Sequence, residues 1–234
     1  MKVSKYGQNL WQLTRLVGFN CFLVREEDGL TLVDSGLAGS AKDILAAVQE
    51  IGLPLRRIAL THAHGDHIGS LDEVVGQTPD AEIALTARTE AFLRGEMALL
   101  ADEPQTKLRG GFAKRETRAT RTLEPGDMVG SLRVVAAPGH TPDHIAFFDE
   151  RDATLIAGDA FQTMAGVAVA GTVRWLFPFP ALATWHRPTA LQSAIALREL
   201  NPTRLAVGHG AVLEQPGAKM NDAIREAEAE VRAG

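Results

Sequence analysis

The hydrophobic pattern in the first half of the chain predicts strands that alternate with helices. Apolar runs at 22–24 and 30–33 flank the turn signal Glu27-Asp28-Gly29 and predict two neighbouring strands. From 40 to 51 the apolar positions share one helical face, with Ser40 suited to cap the start of the helix and Gly52 suited to end it. Three further elements follow, a strand at 58–60, a helix at 68–75 and a strand at 81–85.

The second half repeats this order of elements. Residues 145–160 have the same strand–turn–strand layout as residues 21–36. The pattern at 188–200 then predicts a helix with Leu191, Ile195 and Leu197 facing inward, and a strand at 204–207 follows it, as the strand at 58–60 follows the first helix. Two such units predict two sheets packed together with helices outside.

Residues 87–123 interrupt this pattern. The segment holds eight basic and five acidic residues together with Pro104 and Gly110-Gly111, and it predicts a helix followed by an irregular loop. A connection of this length is usually a functional lid or a mobile linker, but a solvated helix with a surface loop has the same composition. The sequence leaves open whether residues 88–122 form a lid.

Composition places the chain among ordinary globular proteins and excludes several other classes. Its 234 residues are 45% hydrophobic and 23% charged, and we expect one domain over residues 1–234. The formal net charge of −5 argues against nucleic acid as a partner, and the lack of a signal-like start or a long apolar run argues against a membrane. The single cysteine, Cys21, excludes an internal disulfide, is expected to pack in a core, and favours a cytoplasmic location.

Four side chains that can bind metals fall within six residues between a predicted strand and a predicted helix. They are His62, His64, Asp66 and His67. Imidazole nitrogen and carboxylate oxygen are the donors that borderline metals prefer. His62 and His64 leave an extended chain on the same side and can hold one ion together, whereas Asp66 and His67 point elsewhere and can serve a second ion.

Three more candidate ligands stand at the ends of predicted strands. His140 follows the strand at 133–136, Asp159 follows the strand at 154–157, and His209 follows the strand at 204–207. Each lies next to a glycine, which lets the backbone and its neighbours approach closely. Ligands carried by strand ends at one edge of a core would form a rigid site.

The pattern His62-x-His64-x-Asp66-His67, followed by His140, Asp159 and His209, resembles the metallo-β-lactamase superfamily. The likeness extends from about residue 9 to residue 209 and includes all seven metal positions. It implies an α+β fold, a four-layer αββα sandwich from two similar halves, in agreement with the repeat. It also implies two Zn²⁺ ions per chain, although iron, manganese or cobalt suit the same donors.

The resemblance also implies a role for each ligand. The first metal would be held by His62, His64 and His140, the second by Asp66, His67 and His209, and Asp159 would bridge them. Asp34 would orient ligands, although from the residues alone it is equally well explained as a turn cap. Metal-bound hydroxide would attack a carbonyl, and Asp66 would act catalytically by passing a proton to the leaving group.

The resemblance is strongest to the branch of lactonases and glyoxalase II-like enzymes. Asp159 and His67 argue against true β-lactamases, which usually lack the bridging aspartate. Lactonases usually place a tyrosine that contacts the substrate carbonyl three residues beyond that aspartate. This chain has Gln162 there, which departs from the pattern but can donate a hydrogen bond and is a candidate substrate contact.

Candidate substrate contacts lie at 161–188, directly after the strand that carries Asp159. Trp175, Phe177 and Phe179 are either an apolar wall over the metals or ordinary core packing. His186 is a further candidate contact, and His144 is expected to pack near His140.

The leading hypothesis is a dinuclear zinc hydrolase of a small ester, lactone or thioester. A phosphodiesterase that uses the same centre is the alternative, motivated by the basic residues at 88–121. A metal-dependent sensor or binding protein without turnover is the second alternative. The expected partner is a small-molecule substrate. The sequence leaves the oligomeric state open, with a homodimer among the options.

Overall fold

The computed structural model describes residues 1–233, which form two large β-sheets, a short two-stranded ribbon and six helices. The first sheet has its strands in chain order: β1 (Lys2–Tyr6), β2 (Leu10–Arg15), β3 (Phe19–Arg25), β4 (Leu30–Val33), β5 (Leu55–Ala59), β6 (Glu82–Thr86) and β7 (Arg121–Leu123). The second sheet has the order β15-β14-β11-β10-β9-β8: β8 (Met128–Val129), β9 (Leu132–Ala136), β10 (Ile145–Asp149), β11 (Thr154–Ile156), β14 (Arg204–Ala206) and β15 (Leu213–Glu214). The ribbon pairs β12 (Phe161–Gln162) with β13 (Ala168–Val169). The helices are α1 (Ala41–Ile51), α2 (Leu71–Gln77), α3 (Ala87–Arg94), α4 (Phe179–Leu182), α5 (Arg187–Glu199) and α6 (Gly217–Ala233).

Alternate residues of the central strands enter different cores, which produces four layers. In β3, Phe22 and Val24 join the core between the two sheets, whereas Cys21 and Leu23 join the core beneath α1 to α3. The second sheet is covered in the same way by α5 and α6, which pack on each other and on a third core. The α+β, αββα architecture expected from the sequence is therefore confirmed.

Each half contains the predicted repeat. β3 and β4 pair antiparallel and β4 and β5 pair parallel across α1, while β10 and β11 pair antiparallel and β11 and β14 pair parallel across α5. Because paired parallel strands end at the same edge, the residues after β4 and β5 lie together, and so do those after β11 and β14.

A local signal sets the end of α1 but not its start. The helix follows Ser40, whose side chain makes no capping hydrogen bond and accepts from Arg15 instead, so the predicted cap is wrong. It ends at Gly52, whose φ of 77° is in the left-handed region that favours glycine. Ala41, Ile44 and Ala47 form its buried face.

Helix α2 begins at Leu71, three residues later than the pattern at 68–75 predicted. The backbone N–H of Gly69 donates to the carbonyl of Gly36, and Ile68 forms a β-bridge with Gly36. These contacts occupy the backbone that a longer helix would use. Strand β1 was not predicted, and its mostly exposed residues are ordered by pairing with β2.

Residues 87–123 form α3 and an irregular loop, as predicted, and end in β7, which was not predicted. The loop is attached to the turn after β5. Gly65 N–H donates to the carbonyl of Gly111, and the Arg115 side chain donates to the carbonyl of Ile68. Over residues 1–233, no helix combines the length and apolar character needed to cross a membrane.

Candidate metal centre

All seven predicted ligands meet at one edge of the two sheets. The turn after β5 carries His62, His64, Asp66 and His67, and the segments after β9, β11 and β14 carry His140, Asp159 and His209. Three overlapping groups place one ligand atom of each member within 4.8 Å of the others: His62, His64 and His140; His62, His67 and Asp159; and Asp66, His67 and His209. The fold therefore brings together donors that are far apart in the chain.

Three ring nitrogens converge in the first group. His64 Nδ1 lies 3.2 Å from His62 Nε2 and 3.0 Å from His140 Nε2. Two nitrogens bound to one tetrahedral Zn²⁺ at about 2.0–2.1 Å lie about 3.3 Å apart. The spacing of the three nitrogens is therefore close to what a single shared ion requires.

Asp159 lies between this group and the second one. Its Oδ2 is 3.3 Å from His140 Nε2 and 3.1 Å from His209 Nε2, and its Oδ1 is 3.3 Å from His67 Nε2. Asp66 Oδ2 approaches the same region, 3.2 Å from His209 Nε2. One carboxylate thus contacts histidines of both groups, as a bridging ligand would.

The outer nitrogen of each histidine in the first group faces an oxygen that can only accept. His64 Nε2 lies 2.9 Å from the carbonyl of Arg109. His62 Nδ1 lies 3.1 Å from the Thr61 hydroxyl, which already donates to Asp34. His140 Nδ1 lies 3.1 Å from the Thr184 hydroxyl, which already donates to the carbonyl of Pro180.

The second group follows the same rule. His67 Nδ1 donates to Asp34 Oδ2 over 2.8 Å, and His209 Nδ1 donates to the carbonyl of Gly18 over 3.3 Å. Burial lowers the pKa of His62, His64 and His140 and keeps these rings neutral. Since a neutral imidazole carries one proton, here on its outer nitrogen, the inner nitrogens of the first group present lone pairs.

These lone pairs face one another without a donor between them. His67 Nε2 and Asp159 Oδ1 are buried and have no hydrogen-bond partner. Inward-facing lone pairs and carboxylate oxygens repel unless a cation lies among them, and buried polar atoms without partners are costly. The donor set therefore fits two cations that prefer nitrogen and oxygen ligands.

Electrostatics divides the centre into a neutral part and a charged part. Burial, and then the neighbouring histidines, hold the pKa of His62 well below its ordinary value, and burial also lowers the pKa of His140. Burial opposes protonation of His209 as well, but the charge of Asp159 outweighs it and raises the pKa of His209 to about 9. The carboxylates of the second group therefore attract positive charge to it.

Asp34 holds the first-half ligands in place. It follows β4 with a φ of 62° and accepts three hydrogen bonds, from the Thr61 backbone N–H, the Thr61 hydroxyl and His67 Nδ1. This buried carboxylate orients His67 directly and His62 through Thr61, which is the orienting role that the resemblance implied.

Buried amides of the first sheet position the turn that carries His209. Asn20 Nδ2 donates to the carbonyls of Val207 and Gly210, and Gln12 Nε2 also donates to the carbonyl of Gly210. A Cβ on Gly208 would lie 2.2 Å from Asp159 Oδ1, so only glycine lets the turn approach the bridging carboxylate this closely.

The predicted apolar wall is divided between packed and exposed side chains. The Phe177 ring lies 5.3 Å from the His209 ring and 6.0 Å from that of Phe19, and it is buried. Phe179 packs on Phe177 but is 62% exposed, and Trp175 is 88% exposed. Phe177 is therefore in contact with a candidate ligand, whereas the other two project toward solvent.

The remaining predicted residues lie in three different settings. Gln162 is buried in β12, and its Oε1 has no hydrogen-bond partner. His186 caps α5, where its Nδ1 accepts from the N–H of Thr189. His144 packs near His140, as expected, and its Nε2 accepts from the Asp159 backbone N–H, so it helps to position the bridging residue.

Sequence reasoning missed most of the groups that fix the ring orientations. Thr61 is adjacent to His62 and could have been suspected, but nothing in the sequence relates Thr184 to His140 or Gly18 to His209. Cys21, by contrast, is buried in the first core as expected, and burial raises the pKa of its thiol.

Known proteins resemble this chain over nearly its whole length. The sequence model of the metallo-beta-lactamase superfamily matches residues 15–209. The protein YobT of Bacillus subtilis (strain 168) is 46% identical over 231 residues, which cover 97% of this chain and 99% of YobT.

Two further similarities concern a named activity and a metal. A hydroxyacylglutathione hydrolase of Xanthomonas euvesicatoria is 34% identical over 140 residues, so that the match covers 59% of this chain and about half (46%) of that enzyme. The crystal structure of TTHA1623 in a di-iron-bound form matches with a TM-score of 0.63 and 27% identity, covering 88% of this chain and 94% of that one.

Proposed function

The chain belongs to the metallo-beta-lactamase superfamily, whose members include metal-dependent hydrolases, and from this premise we propose that it is a dinuclear zinc hydrolase of a small ester, lactone or thioester. One observation carries the proposal: the inner nitrogens of His62, His64 and His140 converge as lone pairs, and the second group and Asp159 lie beside them. A centre with this donor set is suited to hydrolysis.

The proposed ligands are His62, His64 and His140 for one ion and Asp66, His67 and His209 for the other, with Asp159 shared. Two divalent ions bound there would supply Lewis acidity, which makes water a stronger nucleophile at neutral pH and polarises a carbonyl oxygen. The neighbouring di-iron structure supports a dinuclear centre but also keeps iron as an alternative metal.

Asp66 is the residue that we assign to proton transfer. Its side chain is 27% exposed, whereas that of Asp159 is 3% exposed, so Asp66 is the carboxylate of the centre that a substrate can reach. The charges of His67 and His209 oppose the effect of burial and hold the pKa of Asp66 well below its ordinary value. Asp66 is therefore ionised before the reaction, and we propose, from its exposed position, that it holds a proton only transiently while passing it to the leaving group.

The side chains beyond Asp159 are suited to an apolar part of the substrate. Phe177 and Phe179 extend from the edge of His209 to solvent, and we propose that they contact the substrate beside the reacting bond. Gln162 has a buried amide oxygen without a partner and remains a further candidate contact. The similarity to a hydroxyacylglutathione hydrolase supports a thioester among the substrates.

Metal analysis combined with a substrate panel tests this proposal. His62→Ala and Asp159→Ala should each abolish metal content and hydrolysis, whereas His186→Asn, which keeps a side chain suited to cap α5, should keep its metal. Full turnover by metal-stripped protein would overturn the proposal.

The panel also separates the alternatives. A lactone, a thioester and a phosphodiester of similar size are compared at equal metal loading. Fastest turnover of the phosphodiester would favour a phosphodiesterase, and tight metal binding without turnover of any substrate would favour a sensor or binding protein. That the partner is a small molecule and that the protein is cytoplasmic remain proposals based on the sequence, which leaves the oligomeric state open.

A further inference from the structure

Most basic side chains of residues 88–121 are already engaged within the protein. Arg88, Arg94 and Arg121 form ion pairs with Glu103, Glu96 and Glu82. Arg115 and Arg118 donate to backbone carbonyls, including those of Ile68 and Glu116. The positive charge of this segment therefore mainly stabilises the loop and α3.

Lys107 and Arg109 differ from these residues. Within residues 1–233, neither side chain has a hydrogen-bond or ion-pair partner. Both line a cavity of about 290 Å³ together with His186 and Arg187, and both also line an adjoining cavity of about 510 Å³. Arg187 likewise lacks an acidic partner, and no acidic side chain lines either cavity. Three basic residues without acidic partners thus line the smaller cavity, which we call the recess.

The recess is fixed directly beside the candidate metal centre. The carbonyl of Arg109 faces His64 Nε2, and the backbone N–H of Trp185 donates to the carbonyl of His140 over 2.9 Å. The Trp185 indole N–H also donates to the carbonyl of Thr106 over 3.0 Å, which joins the loop to the segment before α5. The walls are therefore held in place without a ligand.

The N-terminus of α5 adds to the positive field. Arg187 is the first residue of this 13-residue helix, and the partial positive charge of a helix N-terminus favours an anion nearby. In a chain with a net charge of −5, this local excess of positive charge contrasts with the rest of the molecule.

We propose that the recess lined by Lys107, Arg109 and Arg187 binds an anionic oxygen group, a carboxylate or a phosphate, on the far end of the substrate. The inference rests on the proposed hydrolase function and narrows its substrate class to anionic esters, lactones or thioesters. The anion would lie beside His64 and His140, while Phe177 lies beside His209 and Phe179 packs on Phe177. The substrate would thus span the metal centre from one side to the other.

Matched substrates test the proposal on the metal-loaded enzyme. The aryl monoester of a dicarboxylic acid, the same ester with a terminal phosphate, and a neutral methyl-capped form differ only at the far end. We expect the double variant Lys107→Gln/Arg109→Gln to raise KM for at least one anionic substrate by about tenfold or more relative to the neutral one. Because these side chains are exposed, added salt should reduce the preference of the unmodified enzyme for that anion.

Lys114→Gln is the matched control, because it removes one exposed charge from the same loop outside the recess. Its KM values should equal those of the unmodified enzyme. The two anionic substrates show whether the recess prefers a carboxylate or a phosphate. A KM increase in the double variant that is confined to either anionic substrate, or to both, supports the proposal. Equal KM changes on all three substrates, or no change, would overturn it.

A binding measurement separates this inference from the proposed function. The indole N–H of Trp185 gives an NMR signal from the wall of the recess, and it should shift when glutarate or inorganic phosphate is added to the metal-loaded protein. The shift should be lost in the double variant. A protein that hydrolyses no ester but shows this behaviour would refute the hydrolase and keep the anion site. A shift that persists in the double variant, or no shift with either anion, would overturn the anion site.

Discussion

The two halves of the molecule contain the same strand–strand–helix–strand unit but supply ligands in different ways. In the first half, the single turn after β5 carries four candidate ligands within six residues. In the second half, three candidate ligands are spread over residues 140–209, one after each of three strands. The same fold unit can therefore present a concentrated or a dispersed set of donors.

The two sets are also held differently. Asp34, which follows β4 in the same unit, orients His67 directly and His62 through Thr61, whereas His64 faces the carbonyl of Arg109 in the loop after α3. His140 and His209 instead depend on Thr184 and on the carbonyl of Gly18, which belong to other parts of the fold. Two of the three concentrated histidines are therefore positioned by one carboxylate of their own unit, whereas His140 and His209 rely on packing between distant elements.

The largest expected effect comes from the residue that joins the two sets. Asp159→Asn should remove both metals and reduce kcat/KM by at least about a thousandfold, because Asp159 contacts His67, His140 and His209. Asp66→Asn should remove only the second metal. Metal content by mass spectrometry and steady-state kinetics check this prediction. An Asp159→Asn protein that keeps two ions would show that the carboxylate is no bridge.

Two glycines allow the shared carboxylate and the first group to be disturbed separately. Gly208→Ala places a Cβ 2.2 Å from Asp159 Oδ1, and we expect about a hundredfold weaker metal binding at both positions. Gly110→Ala places a Cβ 2.3 Å from His64 Nε2, the outer nitrogen of that ring, and we expect about a tenfold weaker first site only. Competition with a chromophoric chelator measures both, and a larger effect at Gly110 would contradict the comparison.

Removing the orienting group of the first half should weaken metal binding more than removing one from the second half. Asp34→Asn weakens the acceptor of His67 and of Thr61 at once, and should reduce metal affinity by about 10- to 100-fold. Thr184→Val removes one neutral acceptor from His140 and should reduce affinity only severalfold. Chelator competition on both variants, with circular dichroism to confirm folding, tests the order of the two effects. Equal losses of metal affinity would mean that Asp34 holds its histidines no more firmly than Thr184 holds His140.

A pH-dependent contact connects the two halves. Asp143, in the turn after His140, is buried and accepts a hydrogen bond from Thr89 of α3, and burial raises its pKa to about 6. The protonated form is favoured in the fold, so stability from this group is complete below the unfolded pKa of about 3.9 and is lost as the pH rises through about 6. The loss should approach about 3 kcal/mol at neutral pH.

Asp143→Asn should remove this pH dependence, because the amide stays neutral. Urea unfolding at pH 4.5 and pH 7 compares the variant with the unmodified chain, and the difference between them should grow toward pH 7. If the difference in the free energy of unfolding between the two proteins is the same at both pH values, Asp143 does not titrate in this range.

The sequence determined the elements and donors whose signals are local. Helix α1 has its apolar face and its end at Gly52 written in its own residues, and the ligands after β5 form one short motif. The repeat of the two units was also visible, because strand order follows from turn signals and apolar runs. Strands β12 and β13 were not predicted, because segments of two residues carry no periodicity and form only by pairing with each other.

Only the tertiary structure decided which nitrogen of each histidine faces inward and what surrounds the centre. The acceptors of His140 and His209 lie 44 and 191 residues away along the chain. Likewise, the recess that holds Lys107 and Arg109 is completed by Arg187 from another element. A sequence specifies which groups can donate or bind, but a proton's position and a charge's compensation depend on partners that meet only when the chain folds.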